Sequence, residues 1–289
     1  MMNQGKKLIQ EEAQFFSDQN NQLTRSVAWN SIPYFQKKFL EAFDIKADAK
    51  AILSGRKNIS GLTLACGDMT GEYKFLTSLG VEHIDAYDIS EGQREKFYQN
   101  YDHSVEVNYQ IEDVNNVVLP ERKYDIVCVQ QAYHHLSNVY GVAEEISKSL
   151  KDDGIFTVID YIGAPFLQRT QKQEEYASKI WKILPSRLRK NHKGIVLEKI
   201  HIPPKSSLSP YEAINSDEIM SAFQNNFIFI KELKYGGILF PIFNGFSQNY
   251  TTSEEDLLFI KTMWETDQFL IKTNAIEPNF IRAIMKPRK

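Results

Sequence analysis

Five short apolar runs, at 62–66, 83–87, 105–111, 124–130 and 155–159, punctuate the first half of the chain. Runs this short fit strands better than helices, and the first, 62–66, reads as continuously buried. Stretches with helical spacing separate most of them, at 72–79, 91–100 and 139–150. Such alternation predicts a doubly wound parallel sheet with helices on both sides. Gly67-Asp68-Met69-Thr70-Gly71 reads as a tight turn from the first strand into its helix. Asp152-Asp153-Gly154 reads as the turn that closes the helix before the fifth strand.

The pattern differs at both ends. Residues 6–55 read as helices, broken at Ser31-Ile32-Pro33, with Pro33 suited to a first helical turn. After Gly163-Ala164-Pro165 the spacing predicts a long helix over 166–184, then a polar, proline-containing loop to 210. A short helix near 216, a strand at 227–230, a helix over 253–272 and a last strand at 280–284 follow. A late helix and antiparallel strand complete a seven-stranded sheet. The expected organisation is therefore a helical N-terminal cap at 1–57 and one α/β domain at 58–289. That domain carries an inserted helical segment around 164–215. Cap and insertion together would form a lid over the sheet.

Composition narrows the possibilities. Among 289 residues, 42% are hydrophobic and 25% charged, which fits an ordinary globular domain and neither a disordered chain nor a coiled coil. The net charge of −3 disfavours a generally basic nucleic-acid binder. Arg187, Arg189, Lys190 and Lys193 form one local basic patch, read as a solvated face. Cys66 and Cys128 sit in apolar runs and read as buried thiols, too few for a zinc cluster, so no metal is expected. No apolar stretch approaches the ~18 residues of a membrane span. The opening residues lack a signal-peptide core, so a cytoplasmic location is expected. Nothing indicates a homo-oligomer.

Candidate chemistry lies at three strand ends, where open parallel sheets bind ligands. After the first strand, Ala65 and Gly67 let backbone approach a ligand closely, and the next helix points its N-terminus at the same space. The turn lacks both the phosphate-loop ending and the dinucleotide glycine pattern. Asp88 ends the second strand, placed to grip two ribose hydroxyls, with helix capping as its alternative role. Asp113 follows the third strand and could accept from an adenine amine, or cap a turn. Together they describe a nucleoside site without a phosphate element.

These residues, with Leu62-Thr63-Leu64-Ala65-Cys66-Gly67-Asp68, Gln131-Ala132-Tyr133-His134-His135-Leu136 and Gly154 to Asp160, resemble the class I S-adenosylmethionine-dependent methyltransferases. Asp160 to Pro165, Ser209 to Ser216 and Tyr235-Gly236-Gly237 resemble a bacterial small-molecule subgroup. The resemblance implies a Rossmann-like fold and S-adenosylmethionine as cofactor. It implies cofactor contacts from Ala65, Cys66, Gly67, Met69, Asp88, Ile89, Asp113, Val114 and Gln130. Ala65 and Met69 stand where the family's loop has glycines, which questions the path of that loop. His134 and His135 follow the fourth strand as candidate bases. Tyr34, Tyr133, Asp160, Tyr161 and Tyr235 are candidates for the acceptor pocket. The expected reaction is methyl transfer to oxygen or nitrogen of a small molecule, a secondary metabolite or sugar, with no nucleic-acid or membrane partner. The alternatives are cyclisation or rearrangement with the same cofactor, and a non-catalytic cofactor-binding subunit.

Overall fold

The computed structural model describes residues 2–17, 29–102, 104–202 and 204–288. Helices α1 (Met2–Ser17), α2 (Pro33–Ala42) and α3 (Ile45–Ile52) precede the sheet. The alternating part runs β1 (Ile59–Leu64), α4 (Thr70–Ser78), β2 (Val81–Asp88), α5 (Glu91–Gln99), β3 (Glu106–Ile111), β4 (Tyr124–Gln130), α6 (Val139–Ser149) and β5 (Leu150–Tyr161). Then come α7 (Gln171–Ile183), α8 (Ile219–Asn226), β6 (Phe227–Tyr235), α9 (Leu239–Phe243), α10 (Glu254–Lys272) and β7 (Phe280–Pro287).

The seven strands form one sheet in the order β3-β2-β1-β4-β5-β7-β6, with β7 antiparallel to both its neighbours. This is the expected seven-stranded α/β sheet. Strand order reverses between β1 and β4, so the crevice beyond their carboxyl ends is where a ligand fits.

Alternation along the strands splits the core into two faces. Leu62, Leu64, Val127, Val129, Phe156 and Val158 face α6 and α8, where Val142, Ile146 and Phe223 meet them. Ile84, Ile126, Cys128, Ile155 and Ile284 face the other way, toward Ala49 of α3, Leu53 at its C-cap, Leu76 of α4 and Phe97 of α5. A third cluster lies beside the β6–β7 end. There Trp29, Phe35, Phe39, Trp181, Phe243 and Trp264 are buried between α2, α7, α9 and α10. The N-terminal helices are thus not one layer. α3 packs flat on the sheet and α2 joins the aromatic cluster, while α1 reaches the strand ends.

Two expected boundaries move. The helix expected over 166–184 begins at Gln171, because Thr170 and Gln173 form a reciprocal capping box there. Phe166 and Leu167 take positive φ instead, at 56° and 54°. Asp152-Asp153-Gly154 is not a separate turn before the fifth strand. β5 starts at Leu150, paired with Tyr124, and an irregularity before the Ile126–Ile155 pair absorbs the extra residues.

Candidate functional site

The loop after β1 decides the shape of the site. Ala65, Gly67 and Met69 all take left-handed backbone, with φ of 50°, 52° and 52°. The loop therefore keeps a glycine-type path without glycine at two of the three positions. Left-handed backbone costs a non-glycine residue roughly 1–2 kcal/mol. Burial of the whole Met69 side chain in the core offsets that strain. The hydroxyl of Tyr109, reaching from β3, donates to the Gly67 carbonyl at 2.5 Å and pins the loop from below.

Asp88 sits at the end of β2 and is buried. Its Oδ2 accepts from the Gly67 backbone N–H at 2.8 Å, and its Oδ1 from that of Ser90 at 2.8 Å. Burial raises its pKa above the ordinary value, against these backbone donors. Each carboxylate oxygen keeps a lone pair for a further donor. Asp113 caps the turn Val114–Asn116, taking bonds from the Asn115 N–H and the Asn116 side chain.

These loops enclose a cavity of about 290 Å³. Ala65, Cys66, Gly67, Asp88, Ile89, Asp113, Val114 and Gln130 all line it. So does His135. The structure does not bring the other expected residues there. Met69 is in the core. Tyr133 is buried with its hydroxyl on the Val139 carbonyl, and Tyr161 with its hydroxyl on that of Ala164. Tyr235 is held among Trp29, Phe39 and Phe280, and Tyr34 packs at the edge of the same aromatic cluster.

Asp160 is also absent from the cavity wall, for a clear reason. Its carboxylate is wholly buried and accepts from the backbone N–H groups of Ala132, Tyr133 and Tyr161 at 2.7–3.0 Å. It thereby fixes the turn Tyr133–His135. It also binds Nδ1 of His134 at 2.5 Å. Nε2 of His134 faces Glu212 at 3.3 Å. Burial alone would lower the pKa of this ring, but Asp160 and Glu212 overrule it and push the value up. With both nitrogens taken, His134 is no free base.

His135 is oriented differently. Its Nδ1 meets Glu12 of α1 at 3.0 Å, and Phe16 packs edge-on against the ring. Glu12 is itself buried and accepts from Ser209 Oγ and the Tyr211 N–H. Ile9, Glu12 and Phe16 complete one wall of the cavity, with Tyr211 beside them. Sequence reasoning missed Glu12, since it lies 123 residues from its histidine partner. Tyr211 and Glu212 had a signal, because they stand in the 209–216 stretch that carries the resemblance.

A family model described as "Methyltransferase domain" matches residues 62–158, which run from β1 through β5. The matched segment is the part of the sheet that builds the Asp88 and Asp113 side of the cavity. Residues 62–158 thus carry a methyltransferase domain of the S-adenosylmethionine-dependent class. That domain implies S-adenosylmethionine as cofactor or cosubstrate. Among solved structures, the chain is similar to a chain of the Haloferax volcanii complex between the Trm112 methyltransferase activator and a protein assigned as a methyltransferase. That likeness has 11% identity and a TM-score of 0.50, covering 90% of this chain and 96% of that one. It is also similar to a Galdieria sulphuraria protein assigned as a sarcosine dimethylglycine methyltransferase, at 13% identity and TM-score 0.49, covering 87% and 85%. The PH0226 protein of Pyrococcus horikoshii OT3 matches at 14% identity and TM-score 0.48, covering 92% and 97%. The likeness to the Haloferax chain shows the fold of this chain. No curated protein matches its sequence. Among the described residues, no helix is long and apolar enough to cross a membrane.

Proposed function

We propose that the chain transfers the sulfonium methyl group of S-adenosylmethionine to a hydroxyl oxygen of a small molecule. The observation that carries this reading is the position of α1. Its residues Ile9, Glu12 and Phe16 form a wall of the cavity that also holds Asp88 and Asp113. At about 290 Å³, that cavity is at the small end for ligand sites, and the cofactor would take much of it. An acceptor enclosed in this way is small.

In this reading the adenosyl group lies on the loop after β1. Asp88 takes the ribose hydroxyls and Asp113 the adenine amine. The acceptor reaches the methyl group from the side of His135. Glu12 holds Nδ1 of His135, which orients the ring and leaves Nε2 for contact with an acceptor hydroxyl. The acceptor oxygen forms the new bond to the methyl carbon as the carbon–sulfur bond breaks, its electron pair staying on sulfur. The hydroxyl proton leaves to Nε2 of His135. Alignment of oxygen, carbon and sulfur supplies much of the acceleration.

Calorimetry with S-adenosylhomocysteine tests the cofactor half of this reading. Asp88→Ala is expected to lower affinity at least about 10-fold, because two charge-assisted hydrogen bonds are lost. Unchanged affinity would remove Asp88 from the site. Mass spectrometry of products from a panel of hydroxylated and amine acceptors tests the other half. Methyl on oxygen supports the proposal, and methyl on nitrogen, or an isomerised product without added methyl, overturns it.

A further inference from the structure

We propose that His134, His135 and Glu212 form a binding site for one divalent transition-metal ion of the zinc, cobalt or iron type. One ligand atom from each of these three side chains lies within 4.8 Å of the others. Nε2 of His134 is 3.3 Å from Oε1 of Glu212, and Nε2 of His135 is 3.9 Å from Oε2. Two ligands held ~2.05 Å from a tetrahedral ion stand about 3.3 Å apart. The first pair already has that spacing, and the second reaches it with a shift of about half an ångström.

The arrangement behind the ligands is the stronger argument. Both histidines turn Nδ1 away from Glu212, each onto a different buried carboxylate. His134 is backed by Asp160 at 2.5 Å and His135 by Glu12 at 3.0 Å. A backing carboxylate on Nδ1 fixes the tautomer that presents Nε2 to a metal, which at His134 would replace the proton now shared with Glu212. Asp160 is held in turn by backbone donors, and Glu12 by Ser209 and Tyr211. The supporting shell therefore exists on both sides.

Charge points the same way. Asp160, Glu12 and Glu212 bring three negative charges, and among the described residues their only ion-pair partners are these two histidines. A divalent ion would compensate two of those charges and satisfy both oxygens of Glu212. Two imidazoles and one carboxylate favour a transition metal over magnesium or calcium, which prefer oxygen ligands. The sequence conceals the site because Glu212 is far from the histidine pair along the chain.

His135 and Glu12 also line the ligand cavity, so the ion would border the acceptor. In methyl transfer it would act as a Lewis acid on the acceptor oxygen in place of the His135 base, a use that rests on the function proposed above. Metal binding does not.

The test uses untagged, full-length protein stripped with a chelator. It is titrated with Co²⁺, followed by visible absorption and by metal content after desalting, while S-adenosylhomocysteine binding is measured on the same sample. One retained Co²⁺ per chain, displaced by Zn²⁺, is expected. Glu212→Ala should lose it, and Glu12→Gln, which removes only the backing charge of His135, should weaken it by ~10–100-fold. A wild-type chain that retains neither ion overturns the proposal, and so does full retention by a folded Glu212→Ala chain. Should Glu212→Ala not fold, Glu212→Gln is read against the same two outcomes. Homologue binding without metal uptake sinks the metal site alone. Metal uptake without homologue binding sinks the proposed function and leaves the site.

Discussion

At Met69 two opposing effects meet, and their magnitudes decide the outcome of a substitution. Glycine would relieve the strain of φ 52°, worth about 1–2 kcal/mol. It would also empty a fully buried side-chain position, which costs about 2–5 kcal/mol. Met69→Gly is therefore expected to destabilise the fold by roughly 2 kcal/mol, read as a lower urea midpoint with an unchanged slope. A gain in stability would mean that strain governs the loop. The sequence shows that Met69 replaces a glycine, but not where its side chain goes. That depends on space between α4 and the sheet, which no local pattern encodes.

A second residue, Glu72, makes a pH-dependent contribution. Burial, aided by Asp68 and Asp88, raises its pKa from 4.5 to about 7. Between these values the unfolded chain has released the proton and the folded chain keeps it, so stability falls as pH rises through that window. Glu72→Gln should remove the penalty. At pH 8 the variant is expected to be more stable by roughly 3 kcal/mol, and near pH 4 the gain should vanish. Parallel urea titrations at the two pH values check this, and an equal gain at both would refute the assignment.

At the scale of elements, legibility follows locality. β1 and β4 stood out because each is a buried apolar run, and β2 and β3 because they follow at regular spacing, although the edge strand β3 is largely exposed. The Asp88 and Asp113 strand ends were readable for the same reason. By contrast, α1 and the 209–216 segment meet only through tertiary contact, at Glu12. Asp160 reads as a pocket residue until its four nearby donors are seen. The short helix α9 shows the same dependence on distant groups. Asp267 of α10 accepts from the N–H groups of Gly236, Ile238 and Leu239 at 2.8–3.3 Å, and so caps α9 from another element. Asn in its place has one acceptor oxygen and would turn an amide against a donor. Each orphaned buried donor costs about 1–3 kcal/mol, so Asp267→Asn is expected to cost about 2 kcal/mol or more, measurable by thermal unfolding. A neutral result would mean that α9 is capped in some other way.

For the molecule as a whole, the question is what size of acceptor its surface can address. A polymer acceptor would need a basic track, and the candidate was the patch near residue 187. In the structure its two arginines are committed to the fold. Arg187 grips Asp256 of α10 through both terminal nitrogens, and Arg189 binds the Leu184 and Leu197 carbonyls. With a net charge of −3 over the chain, little remains to neutralise a phosphate backbone. Binding that depends on phosphates weakens steeply with salt, by orders of magnitude between about 50 and 200 mM for several contacts. Fluorescence anisotropy with a generic RNA should therefore show no saturable binding even at the low end of that range. Arg187→Ala should lower thermal stability, because it leaves the buried Asp256 without its cation, and should leave RNA binding absent. A salt-sensitive RNA complex that this substitution weakens would reverse the assignment and make the patch part of a polymer-binding face.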